Sequence, residues 1–134
     1  MKFFKGMKKL DVLLVDDDFI NNFIMVQKLN TLHNIHPIVF ELSEKAMEYI
    51  KENLDNNEFL ILLDIYMPIL DGWQFLDELE SINADCKIIV ITTSLSQEER
   101  HRASSNHRVI NFFVKPLKND DFGQVMDNIM NYSF

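Results

Sequence analysis

Apolar residues recur along this chain in two alternating rhythms. Short continuous runs occupy Asp11–Val15, Pro37–Phe40, Phe59–Leu63, Lys87–Ile91 and Val109–Val114. The first, third and fourth are almost entirely Val, Ile and Leu, the composition of strands covered on both faces. Between them lie four segments that read as helices, and a fifth follows the last run. Ala46, Met47, Ile50 and Leu54 line one face behind Ser43, and Phe75, Leu76, Leu79 and Ile82 do so behind Asp71. Phe122, Val125, Met126, Ile129 and Met130 fall at i, i+3, i+4, i+7 and i+8, with Asn119 in place as an N-cap. The segment Gln97–Arg108 has a single apolar residue, Ala103, which predicts a poorly anchored helix that moves easily. Five strand–helix units with short connections specify an α/β domain: an open parallel sheet with right-handed crossovers and helices on both sides.

Three of the apolar runs end on charge. LLVDDD closes on Asp16, Asp17 and Asp18, FLILLD on Asp64, and NFFVKP on Lys115. Taking an ion out of water costs several kcal/mol (order of magnitude) unless it is paired or metal-bound, so charges against core strands call for a reason. In an open α/β sheet, ligands bind outside the carboxyl ends of the strands, which is where all of these groups and Thr92 fall. Any one of them has an ordinary structural reading, such as a helix cap or a turn lysine. Several segments delivering polar groups to one edge instead point to a site for a small hard cation and a phosphoryl group.

Composition narrows the setting. With 134 residues, 47% hydrophobic and 25% charged, the chain has the profile of one domain with a real core. A formal net charge of −8 argues against a nucleic-acid surface, and no apolar run approaches the length of a membrane span, so a cytoplasmic location is expected. The basic residues are uneven: Lys2, Lys5, Lys8 and Lys9 crowd the start, so residues 1–8 read as a solvated, frayed arm ahead of a domain over 9–134. The one cysteine, Cys86, sits inside an apolar run and is expected to be a buried thiol. His33, His36, His101 and His107 lack metal-ligand spacing and are assigned to the surface.

Taken in order, LLVDDD, LLDIYMPILDGW, VITTS and FFVKP resemble the motifs of the receiver domain of two-component response regulators, of the stand-alone chemotaxis-regulator type. The resemblance runs from about Lys9 to Met130. It implies a flavodoxin-like doubly wound sheet of five parallel strands in the order 2-1-3-4-5 with five helices. It also implies that Asp64 is the phospho-acceptor and that Asp16 and Asp17, with Asp64 and the Tyr66 backbone carbonyl, hold Mg²⁺ or Mn²⁺. Thr92 would be the switch hydroxyl, Phe112 the rotating aromatic, and Lys115 the lysine before a cis-capable proline, paired with Asp64 before phosphorylation. Asp18 is left as a cap of the first helix.

The implied function is a phosphorelay signalling switch that catalyses only its own phosphorylation and dephosphorylation. A histidine kinase or histidine phosphotransfer protein would donate, and a downstream protein would read the fourth helix, fifth strand and fifth helix. Two alternatives remain from the residues: an intermediate that passes the phosphoryl group onward, and a small phosphatase of the haloacid dehalogenase type with Asp16 as nucleophile. The chain departs from the family pattern twice. Tyr66 stands two residues after Asp64, where Asn is common, which predicts slow autodephosphorylation, and Leu42-Ser43 replaces a frequent Gly-containing turn.

Overall fold

The computed structural model describes residues 3–5, 8–33, 35–93 and 96–133. Its elements in chain order are β1 (Phe3–Lys5), β2 (Lys8–Val15), α1 (Phe19–His33), β3 (Ile38–Phe40), α2 (Ser43–Glu52), β4 (Asn57–Leu63), α3 (Gly72–Ser81), β5 (Cys86–Thr92), α4 (Gln97–Ser105), β6 (Val109–Val114) and α5 (Asn119–Ser133). The five parallel strands run β3-β2-β4-β5-β6, the implied 2-1-3-4-5 order. Part of the arm expected to fray is ordered: Phe3–Lys5 pairs antiparallel with Lys8–Leu10, adding a sixth strand. Backbone groups there find ladder partners, which the four lysines spread through MKFFKGMKK did not reveal.

Alternation along the central strands splits the core in two. Leu13, Val15, Phe59, Ile61, Leu63, Ile88 and Val90 face α2 and α3, while Val12, Leu14, Leu60, Leu62, Ile89 and Ile91 face α1 and α5. Every residue of β4 is buried, as a strand covered on both faces requires. At roughly 1.5–3 kcal/mol for each large apolar side chain buried, these two layers fix the register of the sheet and hence of everything at its edge.

The caps differ from expectation at two places. Asp71 does cap α3, in a reciprocal box with Gln74. Ser43 is instead the first residue of α2, and its hydroxyl donates to the carbonyl of Leu70; Leu42 takes the cap position without a side-chain hydrogen bond. Asn119 is likewise the first residue of α5, where Asp121 accepts from the Lys118 amide at 2.9 Å. Ser43 is thus drawn to a distant carbonyl, and at α5 the side-chain contact comes from Asp121. Gly72, which opens α3, is dictated by space: a Cβ there would lie 2.5 Å from the Ile65 Cα. Its amide donates to the Ile65 carbonyl at 2.8 Å, closing the loop that carries residues 65–71 back onto the strand end.

Candidate phospho-acceptor site

Strand register assembles the site. Val15 and Leu63 are partners in the β2–β4 ladder, so Asp16 and Asp64 leave adjacent strands side by side. The Asp64 amide donates to the Val15 carbonyl at 2.9 Å and the Asp16 amide to the Phe40 carbonyl at 3.0 Å, which fixes both backbones. On the other side of β4, Thr92 pairs with Val114, and the Lys115 amide donates to the Thr92 carbonyl at 2.7 Å. The Lys115–Pro116 peptide is cis.

The side chains converge. Carboxylate oxygens of Asp16, Asp17 and Asp64 lie within 4.8 Å of one another, with Asp16 and Asp64 buried and Asp17 exposed. Such a cluster of hard oxygen donors is typical of a metal-binding pocket. The Lys115 ammonium lies 2.7 Å from Asp16 Oδ2, 3.5 Å from Asp64 Oδ2 and 3.6 Å from Asp18 Oδ2. The expected Lys115–Asp64 contact is present, and Lys115 lies closer still to Asp16, whose backbone carbonyl accepts from Asn22 Nδ2 at 2.8 Å. Asp16 Oδ1 accepts from the Asp18 amide at 2.8 Å, and Oδ2 also accepts from Asn21 Nδ2 at 3.0 Å. Asn21 and Asn22 went unnoticed in the sequence, although DDDFINN places both on the first turn after the acids. Asp18 caps α1 as expected, accepting from the Asn21 amide at 3.1 Å.

Electrostatics mark Asp64 as the unbalanced member. Burial, then the neighbouring Asp16 carboxylate, push it up to about 6, against the pull of Lys115 and the Tyr66 amide, which donates to Oδ1 at 3.1 Å. Burial alone would lower the Lys115 ammonium, but its hydrogen bond to Asp16 and the fields of Asp16, Asp64 and Asp18 outweigh it and hold it above its ordinary value. One ammonium faces the carboxylates of Asp16, Asp18 and Asp64, and Asp17 adds a further negative charge to the cluster, which therefore has room for more positive charge.

The remaining predicted residues lie around this centre. Thr92 is fully buried, and its hydroxyl oxygen has no hydrogen-bond partner among the described residues. Phe112 is half-buried beneath Arg100 of α4, whose guanidinium sits 5.2 Å from the ring centroid. Tyr66 is 45% exposed and its phenol donates to Glu99 Oε2 at 2.6 Å, a contact no sequence pattern signals. Cys86 is buried, as expected, and burial pushes its thiol up to about 11. His101 and His107 are exposed, and no histidine joins an acidic or cysteine cluster among the described residues; the side chain of His33 lies outside them.

The family model described as response regulator receiver domain matches residues 12–127. Among curated proteins, the chain is 30% identical over 122 residues to the chemotaxis protein CheY of Halobacterium salinarum, covering 88% of this chain and 92% of that one. It is 34% identical over 92 residues to two-component response regulator 24 of Arabidopsis thaliana, covering 69% and 64%. It spans only 31% of the longer two-component response regulator ARR14 of the same plant. Among solved structures, a two-component response regulator from Cytophaga hutchinsonii superposes with a TM-score of 0.76 at 23% identity, over 92% of this chain and 98% of that one. A CheY-like receiver domain protein from Methanospirillum hungatei gives 0.74 at 21%, over 92% and 96%. Both structural likenesses concern the fold. No haloacid dehalogenase signature accompanies these matches, and both oxygens of Asp16, the nucleophile of that alternative, are taken by protein donors. No helix among the described residues is long and apolar enough to cross a membrane.

Proposed function

Because this chain belongs to the response regulator receiver domain family, we propose that it takes a phosphoryl group from a histidine-phosphorylated protein, a histidine kinase or phosphotransfer protein, onto Asp64. The observation that carries the reading is the position of that carboxylate: buried, beside Asp16 and Asp17, and within reach of Lys115. Asp64 attacks phosphorus in line with the departing imidazole nitrogen; the new O–P bond forms as the P–N bond breaks, and its electron pair leaves with the imidazole. Lys115 supplies positive charge to the transferring oxygens. The all-oxygen donor set and the excess of carboxylates over cations suit a hard divalent ion, and Asp16, Asp17, Asp64 and the Tyr66 backbone carbonyl are the groups that would hold Mg²⁺ or Mn²⁺. A bound ion of this kind supplies further charge neutralisation to the phosphoryl oxygens.

The product, an acyl phosphate, carries a charge of about −2 where a carboxylate of about −1 stood. The Thr92 hydroxyl, buried without a partner among the described residues, gains acceptors there, and movement of Thr92 would make room for the Phe112 ring. The surface of α4, β6 and α5 would carry the change to a protein target. On the input side, α1 presents Phe19, Ile20, Phe23 and Ile24 to solvent, 42–69% exposed and starting three residues after Asp16. A patch of that kind at the rim of the site is where a protein donor would rest.

Incubation with acetyl phosphate and Mg²⁺ followed by mass spectrometry tests the acceptor. The native chain should gain one phosphoryl group and Asp64→Asn none; a gain that persists in Asp64→Asn would overturn the assignment.

A further inference from the structure

Helix α4 is held in an unusual way. Ala103 is its one buried residue, so an apolar stripe does not anchor it. Its charged side chains instead reach aromatic residues in the β4–α3 loop, on α3 and on β6. Glu99 accepts from the Tyr66 phenol at 2.6 Å, Arg102 lies 4.3 Å from the centroid of Trp73 on α3, and Arg100 covers Phe112 on β6. Contacts of this kind near the surface are individually weak and therefore reversible.

The first of them has a second end in the acceptor site. The Tyr66 amide donates to Asp64 Oδ1, while its phenol donates to Glu99 Oε2, so a single residue joins the acceptor carboxylate to α4. Glu99 is itself committed at both oxygens. Oε1 accepts from the Ser96 amide and Oε2 from Tyr66, and the Glu99 amide donates back to Ser96 Oγ, completing the N-terminal box of α4. A shift of Tyr66 is thus felt at the groups that start the helix.

We infer that Tyr66 and Glu99 form a tether that holds α4 against the acceptor loop in the resting protein and lets go when Asp64 is phosphorylated. Glu99 is the positioning residue: it fixes the Tyr66 ring beside the site and ties the start of α4 to it. The release rests on Asp64 being the acceptor, because bonding of Oδ1 to phosphorus, or its displacement by phosphoryl oxygens, removes the acceptor of the Tyr66 amide. This route to α4 is separate from the Thr92 and Phe112 route, since it runs along the β4–α3 loop rather than through β5 and β6.

Amide hydrogen exchange of residues 97–105 tests both halves. In the resting protein, Tyr66→Phe and Glu99→Gln should each speed exchange there roughly threefold, and the double variant should add nothing to either single one. Gln at 99 keeps the capping interaction with Ser96, and Glu98→Gln, which removes the same charge from the same turn without touching Tyr66, should leave exchange near the native rate. Native exchange in Tyr66→Phe, or additive effects in the double variant, would overturn the tether. In the second arm, native protein shown by mass to carry a phosphoryl group should exchange in α4 as fast as resting Tyr66→Phe. Resting-level exchange in protein so shown to be phosphorylated would overturn the release. Failure to gain the phosphoryl group at all would overturn the acceptor assignment and the release with it, while the tether would still stand or fall on the first arm.

Discussion

The Lys115 ammonium sits 2.7 Å from Oδ2 of Asp16 and 3.5 Å from Oδ2 of Asp64, so the cation that the described residues bring to the centre of the site leans away from the acceptor. Asp64 is left with burial and a like-charged neighbour as its dominant surroundings, which is why its carboxyl is pushed up to about 6 from an ordinary 3.8. The arrangement trades stability for reactivity, since a carboxylate short of counter-charge is a site waiting for a cation.

That imbalance makes stability depend on pH. A carboxyl whose folded value is raised contributes stability that is full below about pH 4 and is lost as pH rises through about 6. Relative to Asp64→Asn, the native protein should lose on the order of 2 kcal/mol of unfolding free energy between pH 4 and 7 in metal-free buffer. Millimolar Mg²⁺ at pH 7 should restore much of that loss, and Asp17→Asn should blunt the restoration. Urea titrations across the range measure it; a difference between native and Asp64→Asn that does not vary with pH would refute the imbalance.

Much of this was legible in the sequence, and the reason is physical. Continuous apolar runs as short as FLILL, alternating with segments of helical period, read as strands buried on both faces, and once five of them are parallel, their last residues must share one edge. Asp16, Asp64, Thr92 and Lys115 were therefore placeable from strand ends alone, as the ladder between Val15 and Leu63 bears out. Interactions set by distant partners were not legible. Ser43 looks like a cap until Leu70 is seen to take its hydroxyl, and Tyr66 looks like a bulky neighbour until Glu99 takes its phenol. The pairing of Phe3–Lys5 with β2 was hidden because lysines mark both ends of the segment and suggest solvent. The left-handed Ile69 had no signal at all, since β-branched residues are the poorest occupants of that region.

Tyr66 should act as a timer. Its amide donates to Asp64 Oδ1 and its side chain is 45% exposed, so a bulky ring stands two residues from the acceptor, where it would hinder a water molecule attacking the acyl phosphate. Tyr66→Asn should lose its phosphoryl group roughly tenfold faster in the presence of Mg²⁺. Tyr66→Phe, which keeps the ring and removes only the hydroxyl, should stay close to the native rate. Loss from Tyr66→Asn that is unchanged or slower would rule the timer out.

Ile69 offers a gain in stability. It holds a φ of 69°, flanked by a Leu70 amide that donates to the Pro68 carbonyl at 2.9 Å, and its side chain is 83% exposed. A left-handed β-branched residue pays a steric cost that packing here does not return. Ile69→Asn should raise unfolding free energy by about 1 kcal/mol and the melting temperature by roughly 3 °C, since Asn tolerates this conformation. A lower melting temperature would show that the exposed side chain contributes packing after all.

The exposed face of α1 should discriminate between donors. Phe19, Ile20, Phe23 and Ile24 leave a run of apolar surface on the helix that begins beside the acidic cluster, whereas the opposite face of α1 buries Met25 and Leu29 in the core. A protein donor must cover this surface to bring its phosphohistidine to Asp64, but a small phosphodonor need not. Phe23→Ser should therefore slow transfer from a cognate phosphotransfer protein or kinase by about tenfold or more, the effect of losing one well-placed apolar anchor, and leave phosphorylation by acetyl phosphate unchanged. Because Phe23 is 58% exposed, folding stability should move little, which a melting curve checks. Equal slowing with both donors would place the defect in the site itself, and native rates with both would move the docking surface elsewhere on the molecule.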